Sequence, residues 1–128
     1  MKKSIVLPLL LMIATTASSQ NLKTMNWLNE PASWQVSEDK LEMFVTPQSD
    51  YWRETHYGFT VDDGPFYYTT RGGEFEANLK ITGEYTTRFD QMGMMLRVDE
   101  EHWIKTGIEY VDGQYNFSTV VTDTKSSW

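Results

Sequence analysis

The stretch from residue 89 to residue 110 constrains the fold more than any other part of the chain, because apolar and polar side chains alternate along it in two runs. The apolar side of the first run is Met92, Met94, Leu96 and Val98, and the corresponding side of the second run is Ile104, Thr106, Ile108 and Tyr110. A period of two places successive side chains on opposite faces of a β-strand, whereas an amphipathic helix repeats about every 3.6 residues. The acidic segment 99–102 between the runs is typical of a turn. We therefore predict two antiparallel strands with one apolar, buried face and one mixed polar face.

Other strands and turns follow from the same reasoning. The most regular alternation lies in residues 74–82, a predicted strand whose buried side is Phe75, Ala77, Leu79 and Ile81. Residues 33–36 and 40–45 flank a polar turn and predict a hairpin. Asp112-Gly113 predicts a second hairpin that leads into a strand over residues 115–121. The sequence thus predicts an all-β fold, an antiparallel two-sheet jelly-roll sandwich.

The first 20 residues have the three-part layout of a secretory signal. Lys2 and Lys3 precede an apolar run over residues 5–14, and Ala17 and Ser19 are the small residues of an A-x-S cleavage site. The apolar run is about half of the roughly 20 residues that a spanning helix needs, so cleavage is predicted rather than anchoring. We expect a signal peptide over residues 1–19 and a single domain over residues 20–128, exported to the periplasm or the extracellular space.

The charge and the cysteine count narrow the range of partners. The net charge is −7, and cleavage of the leader would remove two lysines. An acidic surface repels phosphate backbones, so a nucleic-acid partner is not expected. The chain has no cysteine, which excludes disulfides and a lipid-modified cysteine anchor. No membrane span is expected after cleavage of the signal.

Three segments resemble a known family: DYWRETHYGF at residues 50–59, FDQMGMMLRVDEEHWIKTGIEYVDG at residues 89–113 and STVVTDTKSSW at residues 118–128. They are similar to an uncharacterised, largely bacterial domain family whose fungal relatives are called regulation-of-enolase proteins. That family is placed in the concanavalin A-like lectin and glucanase superfamily, so the resemblance implies a jelly roll of two sheets with a curved face. Members continue past the segment matched by Ser126-Ser127-Trp128, which implies a chain that is incomplete at its C-terminus. An acidic residue is usual in the family where this chain has Ser127.

The mixed polar face of the two central strands is the first candidate site. Its members are Gln91, Arg97, Trp103, Lys105 and Glu109. Opposed residues of an antiparallel pair stand about 4.5 to 5.5 Å apart at Cβ, so these side chains can form one patch. An aromatic ring for stacking on a sugar, with charged partners for vicinal hydroxyls, predicts a carbohydrate ligand. The alternative is a ladder of cross-strand ion pairs, such as Arg97 or Lys105 with Glu109, that binds nothing.

Residues 51–57 interleave aromatic and charged side chains and form a second candidate group. Trp52 and Arg53 are the predicted ligand contacts in this group, and His56 lies close to them in sequence. The alternative is that Trp52 belongs to the core and that His56 lies at the surface.

A catalytic pair of carboxylates is harder to find. Retaining sugar hydrolases need two carboxyl groups about 5 to 5.5 Å apart. The resemblance implies that a catalytic pair would lie on one strand as E-x-D-x-E, as in the glucanase branch of that superfamily. This motif does not occur here. Glu109 and Asp112 point to opposite faces of a strand, which leaves Glu109 with Asp90 across the strands as the candidate pair. We therefore expect a binding domain, with a glycoside-active enzyme or a structural, protein-binding sandwich as alternatives.

Asp62, Asp63 and Asp90 are candidate calcium ligands, because calcium takes several carboxylate or carbonyl oxygens. A plain turn at residues 62–64 is the alternative. The two histidines occur without an HExxH motif or a cysteine partner, so no zinc site is predicted. No other cofactor is expected.

Overall fold

The computed structural model describes residues 19–128, and residues 1–18 of the predicted signal peptide lie outside this range. Within residues 19–128, a 3-10 turn, Leu22–Thr24, precedes the strands. The strands are β1 (Asn26–Leu28), β2 (Trp34–Val36), β3 (Leu41–Met43), β4 (Tyr51–Arg53), β5 (Thr60–Asp62), β6 (Phe66–Tyr68), β7 (Gln91–Arg97), β8 (His102–Val111), β9 (Gln114–Asp123) and β10 (Lys125–Ser127). Within the described range, no helix has the length and apolar character that crossing a membrane requires.

The largest element of the fold is a four-stranded antiparallel sheet with the strand order β10-β9-β8-β7. Strands β7 and β8 pair so that Gly93 lies opposite Gly107, which confirms the predicted pair of central strands. Their acidic turn is closed by Asp99, whose Oδ1 accepts the backbone N–H groups of Glu101 and His102 at 2.8 Å each. The carboxylate thus satisfies backbone donors that the ladder leaves open.

The hairpin between β8 and β9 follows directly from its two loop residues. Val111 pairs with Gln114, so the loop consists of Asp112 and Gly113 alone. Both have positive φ, 51° for Asp112 and 80° for Gly113. Two such residues in succession form the type I′ turn, whose twist matches that of the flanking strands. The predicted Asp-Gly hairpin is confirmed.

Three small antiparallel sheets complete the described fold. They pair β1 with β6, β2 with β3, and β4 with β5. The β2–β3 pair is the hairpin that the polar turn after residue 36 predicts. The predicted all-β class with antiparallel sheets is confirmed, and the jelly-roll strand order stays a prediction.

The core lies between the β4–β5 hairpin and one face of the four-stranded sheet. Its buried apolar residues are Tyr51 and Trp52 of β4, Trp103 of β8 and Val120 of β9. The Tyr51 and Trp103 rings meet edge to face with their centroids 6.1 Å apart. This geometry suits the aromatic quadrupole and joins the hairpin to the sheet.

The two faces of the four-stranded sheet have exchanged their expected roles. We call one side the polar face: Gln91, Gly93, Met95, Arg97, Trp103, Lys105, Gly107, Glu109, Asn116, Ser118, Val120 and Thr122. The other side is the apolar face: Met92, Met94, Leu96, Ile104, Thr106, Ile108, Tyr110, Tyr115, Phe117, Thr119 and Val121, with His102 and Asp123 at one end of it. The predicted alternation is confirmed, but the prediction that the apolar face is buried is wrong. The hairpin covers the polar face, whereas large side chains of the apolar face are exposed.

The strand predicted over residues 74–82 is also wrong. This segment belongs to no strand, and Phe75 and Leu79 are exposed. A strand depends on ladder hydrogen bonds to a neighbour, and no strand among residues 19–128 pairs with this segment. An alternating pattern can therefore be present without a strand.

Candidate functional site

Arg97 connects the polar face to the β4–β5 hairpin through Asp62. Its Nη1 and Nη2 donate to the two carboxylate oxygens of Asp62 at 2.5 and 2.8 Å. The hydrogen bond to Asp62 raises the pKa of Arg97, so the guanidinium is charged throughout the physiological range. The partner of Arg97 is thus an aspartate of the hairpin, and the cross-strand pair with Glu109 does not form. A planar guanidinium on a carboxylate fixes both distance and orientation.

Lys105 makes a second connection through Asp50, the residue before β4. The Lys105 Nζ donates to Asp50 Oδ1 and to the Tyr51 carbonyl oxygen, both at 2.8 Å. The same Oδ1 accepts from Gln91 Nε2 at 3.1 Å and from the Tyr51 backbone N–H at 2.6 Å. Among residues 19–128 the other oxygen, Asp50 Oδ2, has no hydrogen-bond partner. Sequence reasoning missed Asp50, although it opens the family-like segment 50–59.

A cleft of about 150 Å³ lies beside this polar cluster. Gly93 and Gly107 lie in its lining, where the sheet presents bare backbone. A Cβ on Gly93 would come within 2.7 Å of the Gly107 Cα, so the two strands approach too closely for any side chain here. The remaining lining combines apolar and polar side chains, among them Tyr51, Phe66, Met95, Asp50, Gln91 and Lys105. The lining of the cleft is therefore mixed, with both polar and apolar side chains.

Asn29 holds the end of the hairpin that borders the cleft. Its Nδ2 donates to the Tyr51 hydroxyl at 3.1 Å and to the carbonyl oxygens of Asp62 and Gly64. The Tyr51 hydroxyl in turn donates to the Gly64 carbonyl at 2.6 Å. Burial raises the pKa of Tyr51, which keeps this hydroxyl protonated and able to donate. No sequence motif points to Asn29, because its partners are more than 20 positions away.

The two tryptophans of the predicted ligand set are buried. Trp103 is 3% exposed and Trp52 is 7% exposed. Trp103 packs against Tyr51, and the Lys105 Nζ lies 5.8 Å from the Trp103 ring centroid. The Trp52 Nε1 donates to the Thr55 carbonyl at 2.7 Å. Neither ring presents an open face, so stacking on a ligand would fall to another residue.

Arg53 and His56, from the second candidate group, lie away from the cleft lining. Arg53 Nη2 donates to Glu101 at 2.7 Å and Arg53 Nε donates to the Thr124 carbonyl at 2.9 Å. These bonds connect β4 to the ends of β8 and β9. His56 is exposed on the loop between β4 and β5. The structure therefore places Arg53 in contacts between elements of the fold.

The two candidate carboxylates lie in different surroundings. Glu109 is 8% exposed, and its buried Oε2 has no hydrogen-bond partner in the described residues. Glu109 pairs in register with Gln91 and Asn116 on the polar face. The Asp90 Oδ2 instead accepts the backbone N–H groups of Thr86 and Thr87 at 2.8 Å each. Asp90 stabilises the turn that enters β7, and no hydrogen bond connects it to Glu109.

The three candidate calcium ligands are not gathered at one place. Asp62 pairs with Arg97, Asp63 Oδ1 accepts the Asp50 backbone N–H at 2.9 Å, and Asp90 closes its own turn. In the described range of 19–128, no three His, Cys, Asp or Glu side chains form a group that could hold a metal ion. Calcium binding by these aspartates therefore stays a prediction.

Taken together, the sheets and the cleft define an all-β domain of antiparallel sheets with a small, mixed polar and apolar cleft on one sheet face. The chain belongs to the family described as protein of unknown function (DUF1349), whose model matches residues 27–128. It is 42% identical over 102 residues to Regulation of enolase protein 1 of Saccharomyces cerevisiae, covering 80% of this chain and 52% of that protein.

A solved structure gives the same result for the fold. It is described as the crystal structure of a functionally unknown protein from Saccharomyces cerevisiae, and it matches with a TM-score of 0.68 and 33% identity. The match covers 85% of this chain and 59% of the solved chain. The chain thus spans about half the length of the curated relative and less than two thirds of the solved one.

Proposed function

We propose that the chain is an exported, non-catalytic carbohydrate-recognition domain whose ligand binds in the cleft beside Asp50, Gln91 and Lys105. The observation that carries the proposal is that the two oxygens of the Asp50 carboxylate differ in their hydrogen bonding. One oxygen accepts three N–H donors, whereas Oδ2 has no partner in the described part of the chain. The side chain of Asp50 is one-third exposed, so Oδ2 is an acceptor held in place at the edge of a cleft.

A sugar provides the groups that this arrangement lacks. A hydroxyl can donate to Asp50 Oδ2 while a neighbouring hydroxyl accepts from the Lys105 ammonium, whose third N–H is not used by the two bonds described above. Hydrogen bonds to charged groups are stronger than those between neutral groups. They suit a sugar, because its hydroxyls lose their hydrogen bonds to water when it binds. Vicinal hydroxyls on one ring match this acceptor and donor pair.

Apolar side chains of the cleft lining supply the remaining contact. Phe66 and Met95 lie in the lining, and both side chains are partly buried. The Phe66 ring stacks on Tyr68 with its centroid 5.5 Å away, which holds its orientation. An aromatic ring can pack against the C–H face of a pyranose. Phe66 therefore takes the stacking role that the sequence suggested for Trp103.

The surroundings of the two candidate catalytic carboxylates support a non-catalytic role. Glu109 is buried and Asp90 is used in a turn. Export is supported by the layout of residues 1–19. The resemblance to the concanavalin A-like superfamily, which contains lectins, adds to the carbohydrate proposal.

A glycan array probed with the full chain tests this proposal. Asp50→Asn keeps the size of the side chain and one carbonyl acceptor but replaces the other oxygen by a donor. We expect it to lower affinity for the bound glycan at least tenfold, since losing a charge-assisted bond costs about 1.5–3 kcal/mol. Asp39→Asn, which makes the same change in the exposed β2–β3 turn, should bind like the wild type.

Two results would contradict carbohydrate recognition at this cleft. One is the absence of any glycan bound by the wild-type chain. The other is equal affinity of the wild type and Asp50→Asn. Should Asp50→Asn fail to fold, Phe66→Leu replaces it, because this change keeps the apolar volume and removes the flat ring. Unchanged glycan affinity of Phe66→Leu would then count against the cleft.

A second candidate function is a protein-binding regulatory domain, and the exposed apolar face of the sheet favours it. The name of the yeast relative, Regulation of enolase protein 1, adds to this candidate. A protein partner on the apolar face would be insensitive to Asp50→Asn and sensitive to substitutions of Phe117. Binding assays with both variants therefore separate the two functions.

A further inference from the structure

The Trp128 side chain is open to solvent beside the cleft. Of the chain's five tryptophans, all within the described residues, Trp128 is the most exposed, at 64%. Its Nε1 donates to the Ser118 hydroxyl oxygen at 3.0 Å, and Ser118 lies in the cleft lining. This hydrogen bond holds the indole by one edge and leaves most of the ring in contact with water. Exposed aromatic residues are common on protein surfaces, so the informative feature of Trp128 is its position at the cleft.

The strand register places Trp128 on the polar face of the sheet. Ser126 of β10 pairs with Thr122, which is a residue of that face. Side-chain direction repeats every second residue along an extended chain, so Trp128 projects on the same side as Ser126. The hydrogen bond to Ser118, another residue of the polar face, agrees with this direction. The indole and the polar cluster around Asp50 therefore share one sheet face, with the indole at the β9–β10 end and the cluster at the β7–β8 end.

A row of small residues connects these two ends of the cleft. Gly93 of β7 pairs with Gly107 of β8, and Gly107 pairs with Ser118 of β9. All three residues lie in the cleft lining. Lys105 and Gln91, which also line the cleft, stand on either side of this row because each is two positions from one of the glycines. The row is thus a shallow trough that runs across the strands and ends at the indole.

The trough and the indole together are longer than one sugar ring. Neighbouring strands lie about 4.8 Å apart, so the path from β7 to β10 crosses three such steps, or about 14 Å. A pyranose held between Asp50 and Lys105 fills only the β7–β8 end of this path. The surface at Ser118 and Trp128 is then free to contact the next ring of a linear glycan.

We propose that the cleft binds an oligosaccharide of at least two sugar residues, which lies across the strands and stacks its second ring on Trp128. This inference rests on the carbohydrate function proposed above and adds the length and direction of the ligand. The first ring binds at Asp50, Lys105 and Phe66, and the chain follows the small-residue row toward β10. An indole has a large flat face without a formal charge, which suits the C–H face of a neutral pyranose.

The dependence of affinity on ligand length tests this proposal. The full chain is titrated by calorimetry with the monosaccharide, disaccharide and trisaccharide of linear glucose, mannose and N-acetylglucosamine series, in α- and β-linked forms. In the series that binds, we expect the disaccharide to bind about fivefold more tightly than the monosaccharide, because it adds an aromatic contact. Tryptophan emission should shift to shorter wavelength with the disaccharide, since the exposed indole loses contact with water.

Matched variants assign the second contact to one ring. Trp128→Leu should abolish the gain in affinity from the second sugar, whereas Trp128→Phe should retain part of it, because Phe keeps an aromatic face without the Nε1 donor. Trp34→Leu is the control, since Trp34 is 36% exposed and its Nε1 donates to Glu30, away from the cleft lining. Should Trp128→Leu alter the circular dichroism spectrum, Ser118→Ala replaces it, because this change removes the acceptor that holds the indole. Ser118→Ala should then reduce the gain.

The outcomes separate this proposal from the carbohydrate function on which it rests. A gain from the second sugar that persists in Trp128→Leu, or that is lost equally in Trp34→Leu, would overturn the contact with Trp128. Equal affinity of the wild type for monosaccharide and disaccharide would overturn the two-sugar ligand. Both results leave glycan binding at Asp50 intact. Binding of no saccharide, or binding that is insensitive to Asp50→Asn, would instead overturn the carbohydrate function and this proposal with it.

Discussion

Arg97 on β7 and Asp62 on β5 form a two-point ion pair, with N···O distances of 2.5 and 2.8 Å, that joins the β4–β5 hairpin to the four-stranded sheet. The Arg97 side chain is 13% exposed, so water does not readily replace its partner. The pair orients the hairpin over the polar face and so shapes the cleft. Its two bonds depend on the planar fork of the guanidinium.

Arg97→Lys should lower the free energy of unfolding by about 1–3 kcal/mol. An ammonium cannot make both bonds, so one carboxylate oxygen of Asp62 would lose its hydrogen bond. Urea denaturation followed by circular dichroism measures the change. Arg88→Lys is the control, since Arg88 lies 3.5 Å from Asp112 in an exposed pair. Such pairs contribute about 0–1 kcal/mol, so equal effects of the two substitutions would contradict the structural importance of Arg97.

Gly93→Ala should destabilise the domain by at least about 1–3 kcal/mol, because the added Cβ meets the backbone of β8 and forces the strands apart. Gly72→Ala is the matched control, since a Cβ there meets no atom within 4 Å. Thermal unfolding of both variants measures the difference. A Gly93→Ala domain as stable as Gly72→Ala would mean that β7 and β8 do not approach this closely.

Glu109→Gln should raise the free energy of unfolding by about 1 kcal/mol or leave it unchanged, because a buried carboxylate oxygen without a partner carries a desolvation cost that an amide reduces. Glu84→Gln, at an exposed position, controls for the loss of one negative charge. Chemical denaturation measures both. A clear loss of stability in Glu109→Gln alone would show that the carboxylate has a partner in solution.

The turn between β7 and β8 should respond to pH through His102 and Asp99. The hydrogen bond that the His102 ring donates to the Asp99 carboxylate raises the pKa of His102. The stabilisation from this bond is complete below the ordinary histidine value and is lost as pH rises through the raised one. The backbone N–H of Glu101 and then the His102 side chain lower the pKa of Asp99. That contribution is present above the ordinary aspartate value and is lost as pH falls through the lowered one.

The turn is therefore most stable in mildly acidic solution, between the two titrations. An NMR titration of the His102 ring tests this, and Asp99→Asn should bring its pKa down toward the ordinary value. Asp123→Asn is the control, because Asp123 lies 3.5 Å from His102 and contributes less. A larger effect of Asp123→Asn than of Asp99→Asn would show that the turn has a different arrangement in solution.

Part of the candidate site could be predicted and part could not. One sheet face carries Gln91, Arg97, Lys105 and Glu109, as their spacing predicts. This part was predictable because side-chain direction alternates strictly along a strand. Asp50 could not be placed there, since its contacts with Lys105 and Gln91 join residues 55 and 41 positions away. Residue type alone predicts Trp103 as the ring that stacks on a ligand. In the structure Trp103 is buried against Tyr51, so its ring is not open to a ligand.

The sequence by itself determined the local structure: the alternation of β7 and β8, the Asp-Gly hairpin, the β2–β3 hairpin and the all-β class. These features depend on neighbouring residues, whose backbone preferences and side-chain directions are set within a few positions of the chain. The tertiary structure alone decided which sheet face is covered and that residues 75–81 form no strand. Burial and ladder pairing need a partner surface, and local alternation specifies a face without specifying what packs against it.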